Sequence, residues 1–231
     1  MDAHCSTNPP PLPALVIDGS SSSVFAGVLG DDGTWLAQAQ AEGAALESLF
    51  PTVEATLATA QLSLAELRSF IYCEGPGSVL GLRLCAMAIE TWSRLFPQSA
   101  QYYGYNSLQL CAALICADTP ALDRALLVSD WKKGAWNAVT IEAGRPQPTS
   151  VADDEMIANW GGPLYHLPQR KGWQKPPANA TAVAHQPDRL PQVFHLPTRT
   201  TGVELYASGI NVFKKWTPER HRAPTPEQRA T

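Results

Sequence analysis

The sequence is short of the features that make several functions easy to assign. It has no excess of positive charge: 17 lysines and arginines stand against 21 acids, a formal net charge of −4, so bulk electrostatics provides no pull toward nucleic acid. No apolar run is long enough to span a bilayer. The N-terminus, MDAHCSTNPPPLPALVIDGS, starts acidic, carries three consecutive prolines and lacks the pattern of a secretory signal. The expectation is a cytoplasmic protein with no membrane partner. The five cysteines are odd in number and include no C-x-x-C, which argues against a disulfide framework or a zinc site; all but Cys5 sit in apolar stretches, as small core residues do. The histidines, His4, His166, His185, His195 and His221, include no pair three to five residues apart. No helical metal pair can be drawn from them, and each reads as a loop residue. Neither G-x-x-x-x-G-K-[ST] nor G-x-G-x-x-G occurs. Ser20 to Ser23 have no histidine near them in sequence, so no nucleophile set is visible.

What is present describes a folded globule. The 231 residues are 45% hydrophobic and 16% charged, enough for one domain of two lobes or two small domains. After a Pro-rich lead at 1–13, ALVIDGS, SVFAGVLG and TWLAQAQ read as three short strands, the last two joined by the turn signal DDG. Leu46, Leu49, Phe50, Val53 and Leu57 then recur at helical spacing, with a kink or a fresh start at Pro51. Ser63 and Glu66 form a capping-box pattern before the strand SFIYCE. A glycine turn and a second helix follow. QYYGY reads as a strand, and NSLQLCAALICA as a helix capped by Asn106. RALLVSD and AWNAVTIEAG form two more strands around WKKG. This order predicts mixed sheets with helices on their faces. Residues 145–200 are proline-rich, and irregular loops with short strands are expected there. GVELYASGI reads as a last strand or short helix, and the basic tail 217–231 as frayed.

The turn Gly75-Pro76-Gly77-Ser78 admits two readings. Free N–H groups at a helix start can hold an anion. Against that, no lysine is near, Glu74 adds negative charge and Arg83 is the only local cation, so a structural turn with Ser78 as N-cap is the stronger reading. The helix after it, Val79 to Trp92, carries only Arg83 and Glu90 as charges and is apolar nearly all round, with small residues at Gly81, Cys85 and Ala88. Either later helices of the same chain cover it or another subunit does. The sequence reading favours an interface drawn through Leu46, Leu49, Phe50, Val53 and Leu57 of the first helix and Leu82, Cys85, Ala86, Ala88 and Ile89 of the second.

At these residues the sequence resembles a known family. GPGSVLGLR is similar to the GPGS-[FY]-T-G-[LV]-R signature, including Gly81 and Arg83, of the TsaB (YeaZ) proteins, partners in synthesis of N6-threonylcarbamoyladenosine (t6A) in tRNA. ALVIDGSSSSVFAGVL resembles the family's opening strand pair, LLVSDWKKGAWNAVTIE its later pair and LYASGINVFKKW its closing segment. The chain departs from the family patterns at Gly19 and Ser20, at Val79 and Leu80, at Ala44 or Ala45, at Ala135 and at Ala207 or Ser208.

The resemblance implies a ribonuclease-H-like, actin-like (ASKHA) α/β fold with an N-terminal lobe at 14–105 and a C-terminal lobe at 106–216. It implies a non-catalytic subunit without cofactor. Such a subunit pairs with a TsaD-like catalytic paralogue through its first two helices, meets a TsaE-like ATPase through that complex, touches tRNA indirectly, and dimerises when alone. Whether the native partner is TsaD-like or a second copy stays open. In ATPases of this fold, aspartates ending the first strand of each lobe hold Mg²⁺–nucleotide. Asp18 and Asp130 occupy matching places, so an ATPase or kinase using them is the alternative. An older peptidase label attached to this superfamily finds no support in the residues themselves.

Overall fold

The computed structural model describes residues 9–97, 101–168 and 174–207. His4, His221 and the basic tail lie outside the described residues, as does most of the closing segment. Two mixed six-stranded sheets carry the fold.

The first sheet begins with β1 (Ala14–Asp18), β2 (Ser23–Leu29) and β3 (Trp35–Glu42), an antiparallel meander. The DDG signal makes the β2–β3 turn, where Gly33 takes a positive φ of 76° and Asp32 accepts from the Thr34 amide at 2.9 Å. β4 (Ser69–Gly75) lies parallel to β1, β5 (Tyr102–Asn106) parallel to β4, and the sheet order is β12-β5-β4-β1-β2-β3. β1 is central and buried throughout, which is why ALVID is an unbroken apolar run up to its aspartate. β3, at the edge, alternates between covered and exposed positions.

The helices are α1 (Ala45–Ala60), α2 (Val79–Leu95), α3 (Ser107–Asp118) and α4 (Asp154–Ala158). α1 continues past Pro51 as a single helix. The proline lies inside the helix and removes one i→i−4 hydrogen bond, that to the carbonyl of Glu47. α1 and α2 cover one face of the first sheet with Leu49, Val53, Leu57, Cys85, Ala88, Ile89 and Trp92. α3 is the helix that is buried all round. Leu110, Ala113 and Leu114 pack on the first sheet, while Leu108, Cys111 and Ala112 pack on the second. Asn106 caps it as expected, accepting from the Leu108 and Gln109 amides at 3.0 and 3.2 Å.

The second sheet repeats the plan of the first. β6 (Arg124–Lys132) and β7 (Ala135–Glu142) are antiparallel, with Gly134 at φ 75° in their turn. Two short strands, β8 (Arg145–Pro146) and β9 (Ser150–Asp153), share the outer edge of β7. β10 (Leu164–Leu167) is parallel to β6, and β11 (Thr181–Ala182) is parallel to β10. Each sheet therefore places its first strand between an antiparallel second strand and a later parallel one, β1 between β2 and β4 and β6 between β7 and β10, the ribonuclease-H-like order, once complete and once abbreviated.

The chain then returns to the first lobe. After a 3₁₀ helix at Pro187–Val193, β12 (Thr198–Thr200) pairs with β5. Within the span expected as the second lobe, 106–216, the return segment packs Leu190 and Val193 against the first sheet. Residues 203–207, expected as strand or helix, are irregular.

Candidate functional site

The glycine turn is gripped by its own chain. Gly75 ends β4 at φ 110°, a conformation that favours glycine, and the Gly75–Pro76 bond is cis. A Cβ on Gly77 would overlap the carbonyl oxygen of Ser20, and a Cβ on Gly81 would overlap that of Gly19. A Cβ on Gly19 would in turn meet Cys85 Sγ at 2.9 Å. The Ser78 amide donates to Ser20 O at 2.7 Å, and the Ser107 hydroxyl donates to Pro76 O at 2.6 Å. Ser78 caps α2 by accepting from the Gly81 amide at 3.4 Å. The glycines thus serve close packing of the turn after β1 against the start of α2. Residues 19 and 20 occupy the positions where side chains at 77 and 81 would begin, and the Ser78 amide is already bonded to Ser20. Arg83 lies exposed on the outward side of α2.

Asp18 ends β1 and is almost wholly buried. Its Oδ1 accepts from the Ser20 amide at 2.7 Å and the Ser20 hydroxyl at 2.6 Å. Its Oδ2 accepts from the Tyr105 hydroxyl and from His185 Nε2, the latter at 2.7 Å. Burial alone would raise this carboxyl's pKa. The charge and hydrogen bond of His185, with the bonds from Ser20 and Tyr105, outweigh it and hold the group well below the usual carboxylate range. For His185, burial works against protonation, and Asp18 overcomes it, raising the imidazole to about 10. Burial first and then the charge of Asp18 push the Tyr105 phenol and the Cys73 and Cys85 thiols upward, so they stay neutral donors or core groups. A carboxylate has about four lone-pair sites. Four donors, two from Ser20 and one each from Tyr105 and His185, fill those of Asp18.

Asp18, Ser20 and His185 meet in space although the sequence showed no such set. They do not form a nucleophilic triad. In a triad the imidazole turns one nitrogen to the carboxylate and the other to the hydroxyl. Here Nε2 faces both, at 2.7 Å from Asp18 Oδ2 and 3.1 Å from Ser20 Oγ, while Nδ1 faces Cys111 Sγ at 3.7 Å. The Ser20 proton points to Asp18 Oδ1, and the group is closed off from solvent.

Asp130 occupies the matching position in the second lobe. Asp18 stands opposite Phe25 of β2, Asp130 opposite Trp136 of β7, and the residue before each makes the last pair with the parallel neighbour, β4 or β10. Asp130 is buried, and its charge pulls the His166 imidazole upward against a larger lowering by burial. His166 lies in β10, a correction to its reading as a loop residue; His185 does lie in a loop, with its side chain turned inward and 6% exposed, and His195 is exposed. Among the described residues, no group of three or more His, Cys, Asp or Glu side chains is placed to hold a metal ion.

The residues drawn as an interface separate into two sets. Leu49, Val53, Leu57, Leu82, Cys85, Ala86, Ala88 and Ile89 are buried by the chain itself. The small-residue strip faces the sheet because Gly81 must approach Gly19, and this turns the opposite side of α2 outward. Leu46 and Phe50 of α1 remain exposed, joined by Val79, Leu80, Met87 and Leu95 of α2, with Leu80 at 62% and Met87 at 63%. Phe50 meets the buried Trp92 of α2 edge-on at 6.2 Å, so the two helices touch beside these exposed residues.

YeaZ from Pseudomonas aeruginosa superposes with a TM-score of 0.60 at 14% identity, covering 84% of this chain and 98% of that one. The chain has the YeaZ fold. A second crystal structure, described as an uncharacterized protein with similarity to peptidase YeaZ from Pseudomonas aeruginosa, gives a TM-score of 0.51 at 17% identity, covering 85% of this chain and 84% of that one. Residues 39–129 match the family TsaD, tRNA N6-adenosine threonylcarbamoyltransferase. That span holds α1, the glycine turn, α2 and α3, and leaves out Asp18 and His185. No curated protein sequence matches the chain. The chain thus combines the YeaZ fold and its two sheets of ribonuclease-H-like order with a first-strand aspartate engaged by its own donors. Among the described residues, no helix is long and apolar enough to cross a membrane.

Proposed function

We propose that the protein is a TsaB-like, non-catalytic subunit in t6A modification of tRNA, pairing with a TsaD-like catalytic subunit through the outward face of α1 and α2. One observation carries this reading. Leu46, Phe50, Leu80, Met87 and Leu95 stand exposed on two adjacent helices of a YeaZ-fold chain. An apolar face of this kind marks a contact surface. The match of residues 39–129 to the TsaD family supports the same pathway. A TsaE-like ATPase would then be met through the TsaD-like partner, tRNA would be touched indirectly, and the lone chain would form a homodimer through the same face.

Co-purification with the TsaD-like protein of the same host tests the reading. Wild-type chain should retain it, and the double variant Leu80→Glu with Met87→Glu should not. Equal retention would remove the face from the account. The other reading, an ATPase or kinase using Asp18 and Asp130, draws on their matching register, and the four donors on Asp18 weigh against it.

A further inference from the structure

The chain passes between its lobes twice. α3 carries it out, and residues 183–197 bring it back to β12. His185 sits at the start of the return segment, three residues beyond β11. Its ring touches three parts of the molecule at once. It belongs to the return segment, its Nε2 holds Asp18 of β1 at 2.7 Å, and its Nδ1 faces Cys111 of α3 at 3.7 Å. The His185 and Asp18 side chains are 6% and 1% exposed.

Other polar ties of the return segment lie at the rim. Arg189 grips Asp118 at the end of α3, and Trp35 Nε1 donates to Asp188 O at 2.6 Å. Exposed ties of this sort are solvent-screened and weak. Breaking a buried pair by removing one partner instead leaves a charge with no counter-charge in the core.

We propose that the Asp18–His185 pair is an interlobe latch: it pins the return segment to the end of β1 and holds the two lobes at one mutual angle, making a rigid body of a fold with two crossing points. The groups packed around it are Ser20, Tyr105 of β5, Cys73 of β4, Cys85 of α2 and Cys111 of α3. Apart from Asp18 itself, these are hydroxyls and thiols, so the carboxylate is the counter-charge of the imidazole.

Hydrogen exchange on the full chain, read by peptide, tests the latch. In His185→Gln, amides of 183–186 and of the β12–β5 pairing should exchange at least about tenfold faster than in wild type, while those of β1–β3 change little. Asp18→Asn should give the same pattern, and the double variant should add nothing beyond either single one. Unchanged exchange in 183–200, or uniform acceleration across the whole first sheet, would overturn the proposal. Should the variants fail to fold, nitrogen-15 spectra of wild-type His185 decide the matter. Both ring nitrogens should stay protonated from about pH 5.5 to 8.5, and a titration near the ordinary imidazole value would refute the latch.

Discussion

The amide of Ser78 donates to the carbonyl oxygen of Ser20 at 2.7 Å, joining the glycine turn that starts α2 to the turn that ends β1. Gly77 and Gly81 lie on either side of that bond, each with a backbone carbonyl where a side chain would begin. Gly77→Ala and Gly81→Ala should each destabilise the protein by about 1–3 kcal/mol, because backbone atoms must shift to admit a methyl group. Thermal melts check this, and a Tm fall of several degrees is expected. An unchanged melt would show that the turn has room to relax.

The same contact decides which side of α2 faces outward. Leu80→Glu with Met87→Glu should leave the melting temperature close to wild type, since both side chains are exposed. Self-association, and binding to a TsaD-like partner, should weaken by about 10- to 100-fold. Light scattering and a pull-down measure the two. Cys85→Arg should behave differently: it places a charge in the core beneath α2 and should yield unfolded protein. A folded, monomeric Cys85→Arg would mean that the strip faces outward after all.

Calorimetric titration with Mg–ATP should give no stoichiometric micromolar binding that depends on Asp18. Its lone pairs are already occupied by Ser20, Tyr105 and His185. Tight binding abolished by Asp18→Asn would restore the ATPase reading and displace the scaffold.

Stability should depend on pH on both sides of a plateau. The His185 pKa is raised from 6.5 to about 10. Its contribution is complete below the unfolded value and lost as pH climbs toward the folded one. The Asp18 pKa is lowered from 3.8, so its contribution is complete above that value and lost as pH falls further. Urea midpoints should therefore peak between about pH 4 and 6.5 and decline toward pH 10. In a His185→Gln background the alkaline decline should flatten. A wild-type midpoint that stays level from pH 6.5 to 10 would show that the imidazole is neutral in the folded chain.

Local sequence was enough for much of the first lobe. The DDG turn, the Asn106 and Ser78 caps, the strands from Ala14 to Gly75 and the two sheet-covering helices depend on neighbours a few residues apart, and such patterns are written in the chain itself. The matching places of Asp18 and Asp130 were legible too, since each ends an apolar run. Three things waited for tertiary structure. The outward side of α2 could not be read from a helix apolar nearly all round; it was decided when Gly81 met Gly19, a contact 62 residues apart in sequence. The helix that is buried on all sides proved to be α3, because it alone lies between both sheets. His185 carried no signal, standing in a proline-rich stretch 167 residues from its counter-charge. A hydrophobic period reports whether a side chain is covered. It carries no record of which distant group does the covering, because that depends on how the sheets stack and where the chain crosses back.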